Sequence, residues 1–378
     1  MSHAAVTDAV PRQAGREDKV LQDECVSVTT TQVVYGRAEL APYAEHLADL
    51  LKETGAPVSA RWTALAVWLR HHPEIEPWAV LVWSSGTLAA AALFSVRQRF
   101  GCWKITKLGE SGEPTWLPAR DPLSAAELAA TLRRELRRLD VPWHLWLTDL
   151  PEHDPIVANL HAALPCATVE PGIVAPRLCF AAGTQLARYL SKNTRSAAAK
   201  ARNRIARDGR AVTMSWTSDP DDIQACLPEI IDVHRRRNLQ RRGRTAFAGP
   251  AETAEFTDLV RAQAEDGDLR LLTVRLDGEL ASFALCQVGD GVLWVYANLV
   301  SPDWLRYSAG TIANCEVVRM AHADPSIRCL DWGSGPQRYK LSGPVTMRCS
   351  EWLHAWSSRP VRLAWSLHHR RHTAPVSA

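Results

Sequence analysis

The sequence predicts an α/β protein built from two similar halves in tandem, and two observations support this prediction. The first is a meander followed by a helix and a strand. Residues 269–300 carry two turn signals, Asp277-Gly278 and Asp290-Gly291, each between apolar runs, which predicts three antiparallel strands. An amphipathic helix from 309 to about 320 and a short strand at 327–332 follow.

The second observation is a hairpin in the first half that repeats one in the second half. Residues 79–96 align with 271–288 without a gap, and Gly86 meets Gly278 at the turn. Alternating apolar hairpins also match by chance, but identical residues at one register favour an internal duplication. A length of 378 residues fits two domains of about 100–200 residues each.

The remaining elements are predicted from periodicity and caps. In the first half we predict a strand at 25–35, helices at 39–53 and 60–71, a hairpin turning at Ser85-Gly86, strand with irregular connections at 101–118, a helix at 123–139, a strand at 143–150 and a short helix at 153–162. Before the meander we predict a strand and turn at 172–183, a basic helix at 184–208, a strand at 211–217, a helix at 219–239 capped by Asp219 and an acidic helix at 251–265.

These elements divide the chain into four segments. We predict a disordered leader at 1–22, a first domain at 23–183, a second domain at 184–359 and a frayed basic tail at 360–378.

The composition is that of a globular protein without a strong overall charge. Hydrophobic residues make up 46% of the chain and the net charge is only +3, so no global basic field is expected. Nine cysteines without a Cys-x-x-Cys pair predict reduced thiols in a cytoplasmic protein, no disulfide framework and no structural zinc. No apolar run approaches the ~20 residues of a membrane span. No motif indicates a bound metal, so none is expected.

The segment between the meander and its helix has the features of an anion site. The first N–H groups of a helix have no internal partner, and the helix dipole places partial positive charge there. Arg306 adds a forked cation and Gly310 allows a ligand close to the backbone. Short glycine loops are also common without any ligand. The matching segment of the first half, 121–125, has an acid and no glycine, so only the second half is expected to bind an anion.

Three segments resemble the GNAT acyltransferase superfamily, in the branch related to Fem-type peptidyltransferases. They are LSKNTRSAAAKARNRIARDGR at 190–210, PDWLRYSAGTI at 302–312 and LDWGSGPQRYKL at 330–341, within a resemblance that extends from about 184 to 356. The resemblance implies an α/β fold of two GNAT-like halves in tandem, each a mixed, mostly antiparallel sheet flanked by helices, with a degenerate first half. It also implies that acyl-coenzyme A binds at Arg306, Tyr307, Ser308, Ala309, Gly310 and Thr311. Gly310 follows Arg306 by four positions where the family has three, which affects the details of coenzyme A contact.

The closing motif supplies the candidate catalytic residues. Asp331 could orient or deprotonate the acceptor amine, which must be neutral to attack a carbonyl, or it could simply cap a turn. Lys340 could stabilise an oxyanion or bind an acceptor carboxylate, while Tyr339 is predicted to pack or to assist it. Tyr296 is a candidate general acid for the leaving thiolate. Alternation along the strand predicts that Asn298 lies on the same side as Tyr296.

Two basic clusters, in 184–208 and 234–244, carry few acidic residues. They are either solvated helix faces or contacts to a polyanion such as a nucleotide-bearing donor or tRNA. The predicted contact residues are Lys192, Arg195, Lys200, Arg235 and Arg241. Glu316 and His234 are further candidate bases. The simpler explanations are that Glu316 is an ordinary helix residue and that His234 belongs to the basic cluster.

The sequence therefore predicts an N-acyltransferase that moves an acyl group from acyl-coenzyme A to a primary amine of a small molecule or peptide. Two alternatives stay open. The donor could be aminoacyl-tRNA, as in Fem-type enzymes, or the chain could be an inactive GNAT-fold binding module. No permanently bound cofactor and no DNA partner are expected.

Overall fold

The computed structural model describes residues 29–99, 101–109, 112–245 and 247–372. The predicted leader, the first residues of the strand predicted at 25–35 and the last six residues of the predicted tail lie outside the described residues. Within the described residues, no helix is both long and apolar enough to cross a membrane.

The first half consists of six strands and five α-helices within the described residues. In chain order they are β1 (Thr29–Tyr35), α1 (Arg37–Leu40), α2 (Ala44–Glu53), α3 (Trp62–His71), β2 (Pro77–Ser84), β3 (Thr87–Arg99), β4 (Cys102–Lys107), α4 (Pro122–Arg138), β5 (Trp143–Pro151), α5 (Pro155–Ala163) and β6 (Thr168–Cys179).

The second half follows a similar plan. Its elements are α6 (Lys192–Arg207), β7 (Val212–Thr217), α7 (Pro220–Arg242), α8 (Pro250–Glu265), β8 (Leu269–Leu276), β9 (Glu279–Gly289), β10 (Val292–Val300), α9 (Ala309–Ala323), β11 (Cys329–Asp331), β12 (Thr346–Trp356) and α10 (Arg359–His372).

The predicted hairpin turns are confirmed, and their geometry explains the residues found there. Asp277 and Gly278 have φ angles of 51° and 86°, and Asp290 and Gly291 have 47° and 72°. Ser85 and Gly86 show the same pattern in the first half, at 49° and 81°. Two successive positive φ angles match the type I′ turn, whose twist suits two-residue hairpins and which favours aspartate and glycine.

The described strands form one twelve-stranded sheet in the order β1-β2-β3-β4-β5-β12-β6-β11-β10-β9-β8-β7. Neighbouring strands are antiparallel except for the pairs β4–β5 and β10–β11. Each half therefore has a strand, a three-stranded meander, a helix and a parallel strand. This repetition confirms the predicted fold class of two halves that each have a mixed, mostly antiparallel sheet.

The two halves exchange their last strands at the centre of the sheet. β12, from the end of the chain, lies between β5 and β6, and β6, from the end of the first half, pairs with β11 of the second half. Helices cover both faces, and the largest apolar clusters lie under α4 and α5 and under α9.

Three sequence predictions need correction. Cys179 and Cys329 lie opposite each other on β6 and β11 and form a disulfide, although reduced thiols were expected. The spacing could not reveal this pair because the two residues are 150 positions apart.

The predicted frayed tail is helical through most of its length, because Trp365 packs on His144 of β5. The basic helix begins at Lys192, after the cap residue Ser191, and not at 184.

Candidate functional site

The site begins where β10 and β11 separate. The two strands pair in parallel only as far as Trp294 and Asp331. The register between β10 and β9 shifts between Val295 and Ala297, which places a bulge at Tyr296. Beyond these points β11 ends while β10 continues to Val300, and a cavity of about 200 Å³ lies there, lined by β10, the loop after β11 and residues of the first half.

The bulge corrects the prediction that Tyr296 and Asn298 face the same side. A bulged residue interrupts the alternation of side chains along a strand. Tyr296 packs with the cluster on α7 and α8, where Phe256 lies beside its ring. Asn298 points to the opposite face and donates to Asn314 on α9 at 3.1 Å. Both side chains still line the cavity.

Asp331 is fully buried and holds two arginines in place. Its Oδ2 accepts from Nε of Arg348 at 2.9 Å and from Arg177 at 3.2 Å. Its Oδ1 accepts the backbone N–H of Gly333 at 2.8 Å. One carboxylate oxygen is thus taken up by two guanidinium groups and the other by a backbone N–H, all within the fold. This geometry favours a positioning role for Asp331 over the predicted role as proton acceptor.

Lys340 and Tyr339 close the cavity from the loop after β11. The Nζ of Lys340 is buried and donates to the carbonyls of Gly333 at 3.2 Å and Ser334 at 2.6 Å. Burial lowers the pKa of its ammonium group, and the negative charge of Asp331 opposes that shift. The Tyr339 hydroxyl lies 3.4 Å from Oδ1 of Asn298, and burial raises the pKa of its phenol.

The first half contributes two carboxylates that sequence reasoning did not select. Glu113 and Asp149 line the same cavity as Tyr296 and Lys340. Burial raises the pKa of Glu113 most and the charge of Asp149 raises it further, while Ser59 and Lys107 act in the opposite direction. Asp149 accepts hydrogen bonds from Ser350 and Trp352 of β12. Glu113 lies in a segment without periodicity, so no local pattern distinguishes it.

A larger cavity of about 430 Å³ adjoins the first on the cleft between the halves. Four residues line both cavities, namely Pro114, Asp149, Trp294 and Arg348. The larger cavity also contains Arg177, Trp116, Glu152, Gln287 and Asp290. Both halves therefore build the site, and the strand exchange brings Arg348 of β12 and Arg177 of β6 into it.

The segment predicted as an anion loop is helical instead. Residues Pro302–Tyr307 form a 3₁₀ helix, and α9 begins at Ala309 directly after Ser308, which has a φ angle of 55°. The side chains of Tyr307 and Ala309 are fully buried. An added Cβ at Gly310 would lie 2.5 Å from Cγ2 of Val300, so the glycine allows α9 to pack closely on β10.

A ligand bound at this segment would therefore contact the N-terminus of α9 and exposed side chains. Arg306 is 65% exposed in its side chain, lies 3.9 Å from Asp208 and stacks on the ring of Tyr307. The N–H of Thr311 already donates to the Ser308 carbonyl at 2.9 Å. In the first half, the corresponding helix start is capped by Asp121, which accepts the N–H of Ser124 and so places an acid where an anion would have to bind.

The predicted polyanion contacts lie in two different environments. Lys192, Arg195 and Lys200 are exposed on α6, which packs on α9. Arg241 is exposed near the end of α7, and its charge acts on Tyr339 at the cavity. Arg235 is partly buried and donates to the carbonyl of Phe247, so its contact is internal.

The geometry agrees with comparisons to known proteins. Residues 192–341 match the family described as the acetyltransferase (GNAT) domain. No curated protein matches the chain.

Several solved structures have a similar fold at low sequence identity. FemX has a TM-score of 0.58 and 10% identity, over 82% of this chain and 95% of that chain. A conserved protein of unknown function from Bacteroides thetaiotaomicron has a TM-score of 0.54 and 11% identity, over 83% and 96%. L-PGS from Bacillus licheniformis has a TM-score of 0.51 and 13% identity, over 85% and 94%. Together with the matched domain, these similarities confirm the predicted resemblance. Residues 192–341 match the GNAT acetyltransferase domain, and the chain as a whole has a fold similar to that of FemX.

Proposed function

We propose that this protein is an N-acyltransferase whose donor enters between β10 and β11 and whose amine acceptor enters from the cleft between the halves. The observation that carries the proposal is the small cavity, in which the β10 bulge, Lys340 and Glu113 meet. Because β11 ends at Asp331 while β10 continues, an acyl chain has a route to the edge of β10. The cleft gives the amine a separate route to the same point.

Glu113 is the proposed proton acceptor. An amine is protonated at neutral pH and must lose a proton before it can attack a carbonyl. Burial and the charge of Asp149 raise the pKa of Glu113, which makes it a stronger base than an ordinary carboxylate. The amine nitrogen forms the new bond to the acyl carbon, its proton passes to Glu113 and the bond from the acyl carbon to the donor breaks.

The remaining residues of the predicted site receive proposed roles from their contacts. Tyr296, at the bulge, is the proposed proton donor to the leaving group. Lys340 fixes the loop of Gly333 and Ser334 beside the reacting carbonyl and adds positive charge there. Tyr339 positions Asn298, and Asp331 positions Arg348.

Acyl-coenzyme A is the first proposed donor, with its pyrophosphate at the start of α9 and Arg306 beside it. Calorimetric titration with acetyl-coenzyme A and desulfo-coenzyme A tests this proposal. We expect micromolar binding that weakens at least tenfold in Arg306→Ala. Arg319→Ala, which removes a half-exposed arginine that is bonded to Glu316 on the same helix, is the matched control and should bind normally. No binding of either ligand by the wild type rejects this donor.

Aminoacyl-tRNA is the second proposed donor, because the exposed face of α6 carries basic residues next to α9. Binding through phosphate contacts weakens as the salt concentration rises, and it weakens more steeply when there are more such contacts. Lys192→Gln with Arg195→Gln should weaken binding of a charged tRNA pool and flatten its salt dependence. Arg137→Gln with Arg138→Gln removes two exposed charges from α4 as a control. Equal effects of the two double variants indicate nonspecific attraction and reject the α6 surface.

A further inference from the structure

The larger cavity contains a charge arrangement that no step of the proposed proton transfer uses. Arg348 and Arg177 line this cavity with side chains that are 23% and 29% exposed. Both are anchored from behind by the fully buried Asp331. Arg348 also lies over the ring of Trp294, at 4.7 Å from its centroid. Their positions are therefore fixed before any ligand arrives.

Two guanidinium groups on one carboxylate leave a surplus of one positive charge facing the cavity. The contacts to Asp331 use Nε of Arg348 and Nε with one terminal nitrogen of Arg177. A guanidinium has five N–H donors in a planar fork, which suits a carboxylate or phosphate. The cavity can thus accept one anionic group at this end.

Acidic residues at the same cavity select between those anions. Asp149, Glu152 and Asp290 line it, and Glu113 lies in the adjoining smaller cavity. A phosphate dianion would carry two negative charges toward these carboxylates, which is unfavourable. A molecule with one carboxylate and one ammonium group would satisfy both ends.

We infer that the acceptor is an amine that also carries a carboxylate, as an amino acid or short peptide does. Its carboxylate binds Arg348 and Arg177 in the larger cavity, and its amino group reaches Glu113 in the adjoining smaller cavity, which shares Asp149 and Trp294 with the larger one. This inference rests on the proposed function and names its substrate class. Because Arg348 lies on β12 and Arg177 on β6, the exchanged strands build the acceptor site.

The test uses equilibrium binding to the full-length protein, measured by calorimetry. The probes are the twenty protein amino acids and diglycine, each compared with its decarboxylated amine where one exists, and β-alanine compared with phosphoethanolamine. We expect at least one carboxylated amine to bind ten times more tightly than its decarboxylated partner. β-Alanine should bind more tightly than phosphoethanolamine.

Variants test whether the two arginines cause the preference for carboxylated amines. Arg348→Gln, Arg177→Gln and Asp331→Asn together remove both cations and their shared buried partner, so that no surplus charge remains, and should reduce the preference to less than threefold. Arg348→Lys keeps a positive charge beside Asp331 but loses the planar guanidinium group, and should reduce the preference partially. Arg319→Gln, on the surface of α9, should leave it unchanged. Circular dichroism confirms that each variant is folded, and the wild-type panel tests the inference even where a variant fails to fold.

The outcomes separate this inference from the proposed function. Decarboxylated amines that bind as tightly as amino acids, a preference for phosphoethanolamine, or a panel without any binding overturns the acceptor site. Amino acids that bind with the expected preference support it. Transfer is then assayed with acetyl-coenzyme A and with charged tRNA, and binding of amino acids without transfer from either donor rejects the proposed function but not the site.

Discussion

Glu113 is the residue for which activity and stability are expected to change in opposite directions. Its raised pKa means that the folded protein holds the proton more tightly than the unfolded chain does. Ionised Glu113 therefore destabilises the fold at pH values above its folded pKa. Glutamine has no charge at any pH, so Glu113→Gln should raise the melting temperature at neutral pH. The same change should lower acyl transfer about 10²-fold, because it removes the proposed general base.

Activity should rise with pH as Glu113 loses its proton, at a pH above the usual range of a carboxyl group. In Glu113→Gln, this rise of kcat/KM with pH should disappear. Glu45→Gln, at an exposed position of α2, serves as the control for both measurements. A Glu113→Gln protein with unchanged turnover would show that another group accepts the proton.

Asp331 is expected to matter for stability as well as for the site. Asp331→Asn removes the charge that holds two arginines together, and breaking a buried ion pair on one side costs about 3 kcal/mol. Urea unfolding should show this loss. Adding Arg348→Gln should recover part of it, because one unpaired cation is removed as well. Equal losses in the single and double variants would contradict a charge-pairing role.

At the level of elements, the start of α9 depends on Gly310 for packing. Its backbone is not in the left-handed region, so the effect of a substitution is steric. Gly310→Ala should destabilise the protein by about 1–3 kcal/mol, because its new methyl group collides with Val300. Val300→Ala creates the missing space, so the double variant should be more stable than the sum of the two single changes predicts. Urea unfolding of the four proteins gives this coupling, and additive changes would contradict it.

The elements also show what the sequence can predict. The hairpin turns and the cap of α7 at Asp219 were predictable, because turn geometry and caps select particular residues within a few positions. The bulge at Tyr296 was not, because alternation alone assumes an uninterrupted ladder. Asp331, Tyr339 and Lys340 were predicted through a motif, and the structure brings them together at the candidate site. Glu113 and Arg348 were missed, because only tertiary structure brings them beside that motif.

At the scale of the whole molecule, the Cys179–Cys329 disulfide joins the two halves through β6 and β11. A cross-link between positions so far apart restricts the unfolded chain strongly, and native disulfides typically contribute about 2–4 kcal/mol. Reduction should lower the melting temperature, and Cys179→Ser with Cys329→Ser should abolish that response. Cys102→Ser, elsewhere in the sheet, should still show a lower melting temperature on reduction. Nine reactive thiols in the denatured, unreduced protein would contradict the pairing.

The exchange of strands predicts that neither half folds alone. Without residues 184–378, β5 and β6 lose β12 from between them, and without residues 1–183, β11 and β12 lose β6. Each separate half would also leave unpaired backbone groups in the middle of a sheet, where pairing is needed for stability.

We therefore expect fragments 1–183 and 184–378 to be insoluble or to lack a cooperative thermal transition when each is expressed by itself. Expressed together, the fragments should copurify and regain the transition, since each supplies the strand that the other lacks. The acceptor site should return only in the pair, because Arg177 and Arg348 come from different fragments. A cooperative transition in either fragment alone would show that the halves are independent domains and that the exchange is not needed for folding.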